Sequence, residues 1–193
     1  MQPAIPFLGL FLPTLALAQF TNQSAPFWLV VESHDKYAGT ALGSCHEGAA
    51  IEGLCPGNTV NTSASYEFYH FNTSSFAQQP LNATSGEQGL ITYELMGSNF
   101  NLSEPMSLSF NPTSNVAMAL FLPSSDTDAT AVAFDVNELL NIQDQTGVAY
   151  YRWYICSTNY GGYQYDTLNW VIGSGQPEND SCCPANIVRR WIQ

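Results

Sequence analysis

Apolar and polar side chains alternate with a period of two along much of this 193-residue chain, and that period admits strands while excluding long helices. Met106-Ser107-Leu108-Ser109-Phe110 is the cleanest case, with three apolar residues on one face and serines on the other. Phe27, Leu29 and Val31 share a face in the same way. Tyr66, Phe68 and His70 oppose Glu67, Tyr69 and Phe71, and Ile91, Tyr93 and Leu95 alternate with Thr92 and Glu94. The turn formers Asn111 to Asn115 lead from Phe110 into Val116–Leu122, which predicts a hairpin. Val148–Thr158 reads as one long aromatic strand that returns through Asn159–Gly162 into Tyr163–Gly173, and Ile187–Ile192 reads as the last strand. Ser24–Pro26, Ser124–Asp128 and Gly173–Asp180 have the composition of surface loops. Asp135-Val-Asn-Glu138 has capping-box spacing before Leu139, Leu140 and Ile142, so one short helix is expected there. The expected fold is all-β: a single antiparallel sandwich or barrel with at most that one helix, stapled by disulfides.

Residues 1–18 carry no charged side chain, are apolar from Ile5 to Ala18, and end in Ala16-Leu17-Ala18. That pattern predicts a signal peptide cleaved before Gln19, leaving 19–193 as a single secreted β-rich domain. No later stretch reaches the roughly 20 apolar residues of a membrane span, so stable membrane insertion is not expected. Hydrophobic residues make up 45% of the chain, enough for a core, whereas charged residues make up only 10%, well under the usual level of about 25%. Sixteen acidic side chains against four basic ones give a net charge of −12, which disfavours nucleic acid as a partner.

An oxidising route makes disulfides the expected state of Cys45, Cys55, Cys156, Cys182 and Cys183. Proximity favours Cys45 with Cys55, while Cys156 has either Cys182 or Cys183 within reach. Adjacent cysteines rarely bond each other, so one thiol is left over, and a dimer through it is one use. Six Asn-x-Ser/Thr sequons survive the proline exclusion, at Asn22, Asn61, Asn72, Asn82, Asn101 and Asn179, and these are the expected N-glycosylation sites.

No catalytic signature stands out. The chain has no Gly-x-Ser-x-Gly elbow, no Cys-x-x-Cys and no His-Glu-x-x-His, and His34, His46 and His70 are scattered. No metal and no cofactor are expected. A glycosidase needs only two carboxylates, and Glu67 and Glu94, both on predicted strands, are the candidates, although strand alternation alone accounts for them. The aromatics are more suggestive. Tyr150, Tyr151, Trp153, Tyr154, Tyr160, Tyr163, Tyr165 and Trp170 crowd two adjacent strands and their turn. Most of them suit a core, and Tyr160 and Tyr163 at the turn are the candidates for a ring platform that stacks on sugar.

Trp153-Tyr-Ile-Cys156-Ser-Thr158, Tyr163-Gln-Tyr165, Leu168-Asn-Trp170-Val-Ile-Gly173 and Pro177-Glu-Asn179-Asp-Ser-Cys182 occur in that order. In this pattern the C-terminal third resembles an uncharacterised family of small secreted fungal proteins, and the Cys45–Cys55 segment is similar to theirs. The resemblance implies a Cys156–Cys182 bridge and leaves Cys183 as a departure. It implies no activity. Three functions are therefore expected in this order: a non-catalytic, N-glycosylated extracellular or wall-associated protein that binds cell-wall or extracellular glycan; a secreted glycoside hydrolase with paired carboxylates; and a host-directed protein that binds another protein.

Overall fold

The alternating segments become strands, and what orders them is which face each can bury. The structure, a computed structural model, describes residues 20–32, 36–58, 67–74, 80, 82–123 and 128–192. The leader and Gln19, His34, Tyr66, Asn61 and most of the loop from Ser124 to Asp128 lie outside the described residues. In chain order the strands are β1 (Asn22–Gln23), β2 (Phe27–Glu32), β3 (Ala41–Gly48), β4 (Ile51–Asn58), β5 (Tyr69–Thr73), β6 (Gln88–Met96), β7 (Asn101–Phe110) and β8 (Val116–Phe121). They continue with β9 (Val132–Phe134), β10 (Leu140–Gln143), β11 (Ala149–Tyr150), β12 (Trp153–Tyr160), β13 (Tyr163–Val171), β14 (Cys183–Pro184) and β15 (Asn186–Trp191).

The fold is all-β. Seven strands close an antiparallel barrel: β3 pairs β4, β4 pairs β8, β8 pairs β7, β7 pairs β6 and β6 pairs β5. β2 completes the circle by meeting β3 at Val30↔Ala41 and β5 at Phe27↔Tyr69. Inside, the rings of Tyr69 and Phe121 stack 5.5 Å apart, and Tyr93 lies 5.5 Å from Phe121. The Tyr69 hydroxyl donates to the Leu42 carbonyl (3.0 Å) and that of Tyr93 to Ser44 Oγ (3.3 Å), so both buried phenols keep a partner.

Outside the barrel, the β12–β13 hairpin adds to β8 through Asn169↔Met118, Trp170↔Ala117 and Val171↔Val116, and β15 runs the length of β2 from Asn186↔Glu32 to Trp191↔Phe27. Trp153 and Ile155 point into the core together with Leu140, Leu168 and Ile187, as strand parity requires. The Trp153 indole donates to the Leu140 carbonyl (3.0 Å). Arg189 is held against the core by Glu138 (2.5 Å), with its guanidinium 4.3 Å from the Phe134 ring centre and 4.4 Å from that of Trp191.

Two local expectations are corrected. Asp135–Glu138 is a turn, and no α-helix occurs among the described residues. Asp135 Oδ1 accepts from the backbone of Asn137 (2.8 Å) and Leu139 (2.9 Å), and Glu138 adopts φ 65. That geometry sends the chain straight into β10, where Leu140 pairs with Phe134. The side chain read as a helix cap instead closes a tight turn. The long aromatic strand is also two strands. β11 pairs β10, whereas β12 pairs β13, and the chain changes sheet between them at Tyr151–Arg152.

Two disulfides staple the fold. Cys45–Cys55 spans the β3–β4 hairpin and Cys156–Cys182 ties β12 to the segment before β14, while Cys183 is a free, exposed thiol. Bonds of this kind belong to oxidising compartments. No helix among the described residues is long and apolar enough to cross a membrane.

Candidate functional site

Two polar features stand out, one inside the barrel and one on an outer face of the sheet. The first is a set of buried carboxyls. Glu104 lies on β7 with the same parity as Met106 and Leu108, and so points where they point, into the barrel core. Glu52 has the same relation to Leu54 on β4. Glu104 is 0% exposed and Glu47 2% exposed, and no carboxyl oxygen of either has a hydrogen-bond partner among the described residues. Burial, reinforced by the charge of Glu52, raises the pKa of Glu104 to about 7. Burial and then Glu52 raise that of Glu47 to about 7 as well, with His46 opposing. His46 sits 3.4 Å from Glu52 Oε1 and edge-on to the Tyr163 ring at 5.5 Å. Glu47 reaches its position through a register shift between His46 and Gly48. It needs glycine neighbours: a Cβ on Gly53 would lie 3.1 Å from Glu47 Oε1, and one on Gly161 would lie 2.9 Å from the Glu47 carbonyl.

The second feature is an uncharged cleft of about 400 Å³ on the outer face of β7, β8, β12 and β13, within the roughly 300–1,000 Å³ of small-molecule sites. Phe110, Asn111 and Ser114 form one wall from the β7–β8 turn, and Ser157 to Tyr160 form the other from β12. Asn169 belongs to the floor. It is 0% exposed, its amide nitrogen donates to the Thr167 carbonyl (2.8 Å) and Oγ1 (3.1 Å), and its Oδ1 has no partner among the described residues. Thr158 and Thr167 hydroxyls share a 2.6 Å hydrogen bond beside it. The end of the cleft is clasped by Asn115. Its amide donates to the Gln176 carbonyl (2.8 Å), its backbone N–H to Glu178 Oε2 (3.0 Å), and its Oδ1 accepts from the Glu178 N–H (2.9 Å). Asn179 lines the same space. Among the described residues none that lines the cleft carries a formal charge, so it offers hydroxyls, amides and the rings of Phe110 and Tyr160.

The residues singled out in the sequence are distributed between these features. Tyr160 lines the cleft, while its cross-strand partner Tyr163 stands outside it, 41% exposed and stacked on Tyr165 with 6° between the planes. Glu94 has the parity opposite to the buried Tyr93 on β6, whereas Glu67 has that of Tyr69 and its charge is felt by both Tyr69 and Tyr93. Glu67 itself lies before β5, outside the strand pairing that places Glu94. Among the sequons, Asn22, Asn82 and Asn101 are exposed, Asn179 is half-buried at the cleft, and Asn72 is half-buried within β5. Among the described residues no group of three or more His, Cys, Asp and Glu side chains is arranged to hold a metal ion. Sequence reasoning passed over Glu104, Glu52, Asn169 and Phe110. Parity with Met106 and Leu54 was the signal available for the two glutamates.

No curated protein and no solved structure matches the chain significantly. A family model does match, over residues 24–191, covering the barrel, the cleft and both disulfides. The chain belongs to the family of the domain of unknown function DUF7907.

Proposed function

We propose that this is a secreted, non-catalytic glycoprotein of fungal type that binds a neutral glycan of the cell wall or extracellular matrix in the Asn169 cleft. The observation that carries the reading is the cleft's chemistry: hydroxyl and amide groups without charge, set between Phe110, which is 62% exposed, and Tyr160. Neutral sugars present apolar ring faces for stacking and hydroxyls for hydrogen bonding. The unpartnered Asn169 Oδ1 is an acceptor that a buried hydroxyl donor would satisfy. The Tyr163–Tyr165 ledge beside Tyr160 would extend the surface along a polymer. Pull-down of protein free of N-glycan with insoluble β-glucan and chitin, followed by titration calorimetry with their soluble oligomers, tests the proposal. Binding that falls at least tenfold in Phe110→Ala and Tyr160→Ala supports it; absence of binding, or binding indifferent to both changes, overturns it.

A hydrolytic reading draws on a different observation. Glu104, a carboxyl with pKa raised to about 7, lies within electrostatic reach of Glu52, and glycosidases work with two neighbouring carboxyls. Glycan turnover that vanishes in Glu104→Gln would favour it over simple binding.

A further inference from the structure

Asn179 is both a sequon residue and a wall of the cleft, and its contacts tie it to the other wall. Its Nδ2 donates to the Ser157 carbonyl at 3.0 Å, leaving the second amide hydrogen for substitution. Its Oδ1 accepts from the Ser181 backbone N–H (3.0 Å) and hydroxyl (2.7 Å). Ser181 Oγ in turn accepts from the Ser157 N–H at 2.9 Å, so the sequon hydroxyl and β12 hold Asn179 at the cleft's edge. A sugar added to Nδ2 starts where a free ligand would sit, with Tyr160, Phe110 and Asn169 as its neighbours.

We propose that Asn179 is a glycosylation site whose own first sugars dock in the cleft, so that the modification controls whether outside glycan can enter. The idea rests on the glycan-binding reading and adds its regulation. The glycoform carrying sugar at Asn179 is closed, and the form without it is open. The ligand class is the same in both cases, a neutral or N-acetylated pyranose, supplied in cis or in trans.

The test uses full-length protein secreted from a glycosylating host. Glycopeptide mapping is expected to find N-acetylhexosamine on Asn179. In native protein, an endoglycosidase should release the Asn179 glycan at least tenfold more slowly than the glycans on the exposed sequons. Phe110→Ala and Tyr160→Ala should each remove that protection. Asp180→Pro abolishes the sequon yet keeps Asn179. Asp180 is the second residue of the turn closed by Cys182 N–H to the Asn179 carbonyl (3.1 Å), the position where proline is favoured; Asn179→Gln serves as the second variant. Either variant should bind β-glucan or chitin hexamers at least tenfold more tightly than the glycosylated protein. An empty Asn179, or a glycan there released as fast as the exposed ones, overturns the inference. Protection that holds while the open variants bind no hexamer overturns only the external-ligand function. Hexamer binding equal in open and glycosylated forms, without protection, overturns only the gate.

Discussion

Raising the pH from 4.5 to 7.5 should destabilise the fold, and Glu47 and Glu104 set the size of the effect. Both carboxyls are raised from an ordinary value of 4.5 to about 7 by burial. A folded-state pKa above the unfolded one means that the native protein keeps a proton the unfolded chain has lost. The stabilisation is therefore complete below pH 4.5 and disappears as the pH climbs through about 7. A gap of about 2.5 units at 1.36 kcal/mol per unit is on the order of 3 kcal/mol for each carboxyl, a sizeable share of the roughly 5–15 kcal/mol that holds a domain folded. At about 2–4 °C per kcal/mol for a domain of this length, either group alone should lower Tm by roughly 6–12 °C across the window. Asp144 and Asp166, whose pKa values are lowered by hydrogen bonds from Thr146 and Tyr37 respectively, act in the opposite sense but below this window. Scanning calorimetry at half-unit pH steps reads the slope. Glu104→Gln and Glu47→Gln should each flatten it, and the Gln variants should be more stable than wild type at pH 7.5 while losing that advantage at pH 4.5. A Tm that stays level or rises between pH 4.5 and 7.5 in the wild type would refute the argument, as would an unchanged slope in both variants.

Arg189→Met should cost about 2 kcal/mol, or several degrees in Tm, because the aromatic cage and the Glu138 ion pair lose the cation they share; a denaturant midpoint unmoved by the change would count against it. Replacing Cys156 and Cys182 together by Ser should remove about 2–4 kcal/mol, whereas Cys183→Ser should leave the midpoint within about 0.5 kcal/mol, as exposed sites do. Glycopeptide mapping should find Asn72 empty while Asn22, Asn82 and Asn101 carry sugar, since Asn72 is half-buried in β5 and pairs with Gln23 and Leu90. Sugar on Asn72 in folded protein would contradict its placement.

The strands were legible because alternation is a local signal. Met106, Leu108 and the turn at Asn111–Asn115 announce the β7–β8 hairpin without any other part of the chain. The pairing order was not legible, because β4 meeting β8 and β8 meeting β13 depend on contacts far apart in sequence. The cleft suffers most from this. Its walls come from the β7–β8 turn, β12 and the segment around Asn179, so Tyr160 could be singled out while Phe110 could not be placed beside it. Asn169 hides for another reason. Leu168 and Asn169 are both buried and Trp170 partly so, and where neighbouring positions are buried alike, alternation carries no information. Glu47 is displaced by the register shift in β3, which no periodicity announces. The expected helix failed because Asp135 can cap a turn as readily as a helix, and the hairpin beyond it decided between them.

The pairing of β2 with β15 has a bearing on how the chain is made. Val30 cannot meet Val188 until the long stretch of chain between them has emerged. At about 5–20 residues per second of synthesis, the first long strand waits roughly 8–30 s for its partner, with an apolar Phe-Trp-Leu-Val-Val run in the meantime. Handling of the nascent chain during that delay should govern yield more than the stability of the finished molecule, and truncations at the C-terminus should be lost to aggregation or degradation during biosynthesis.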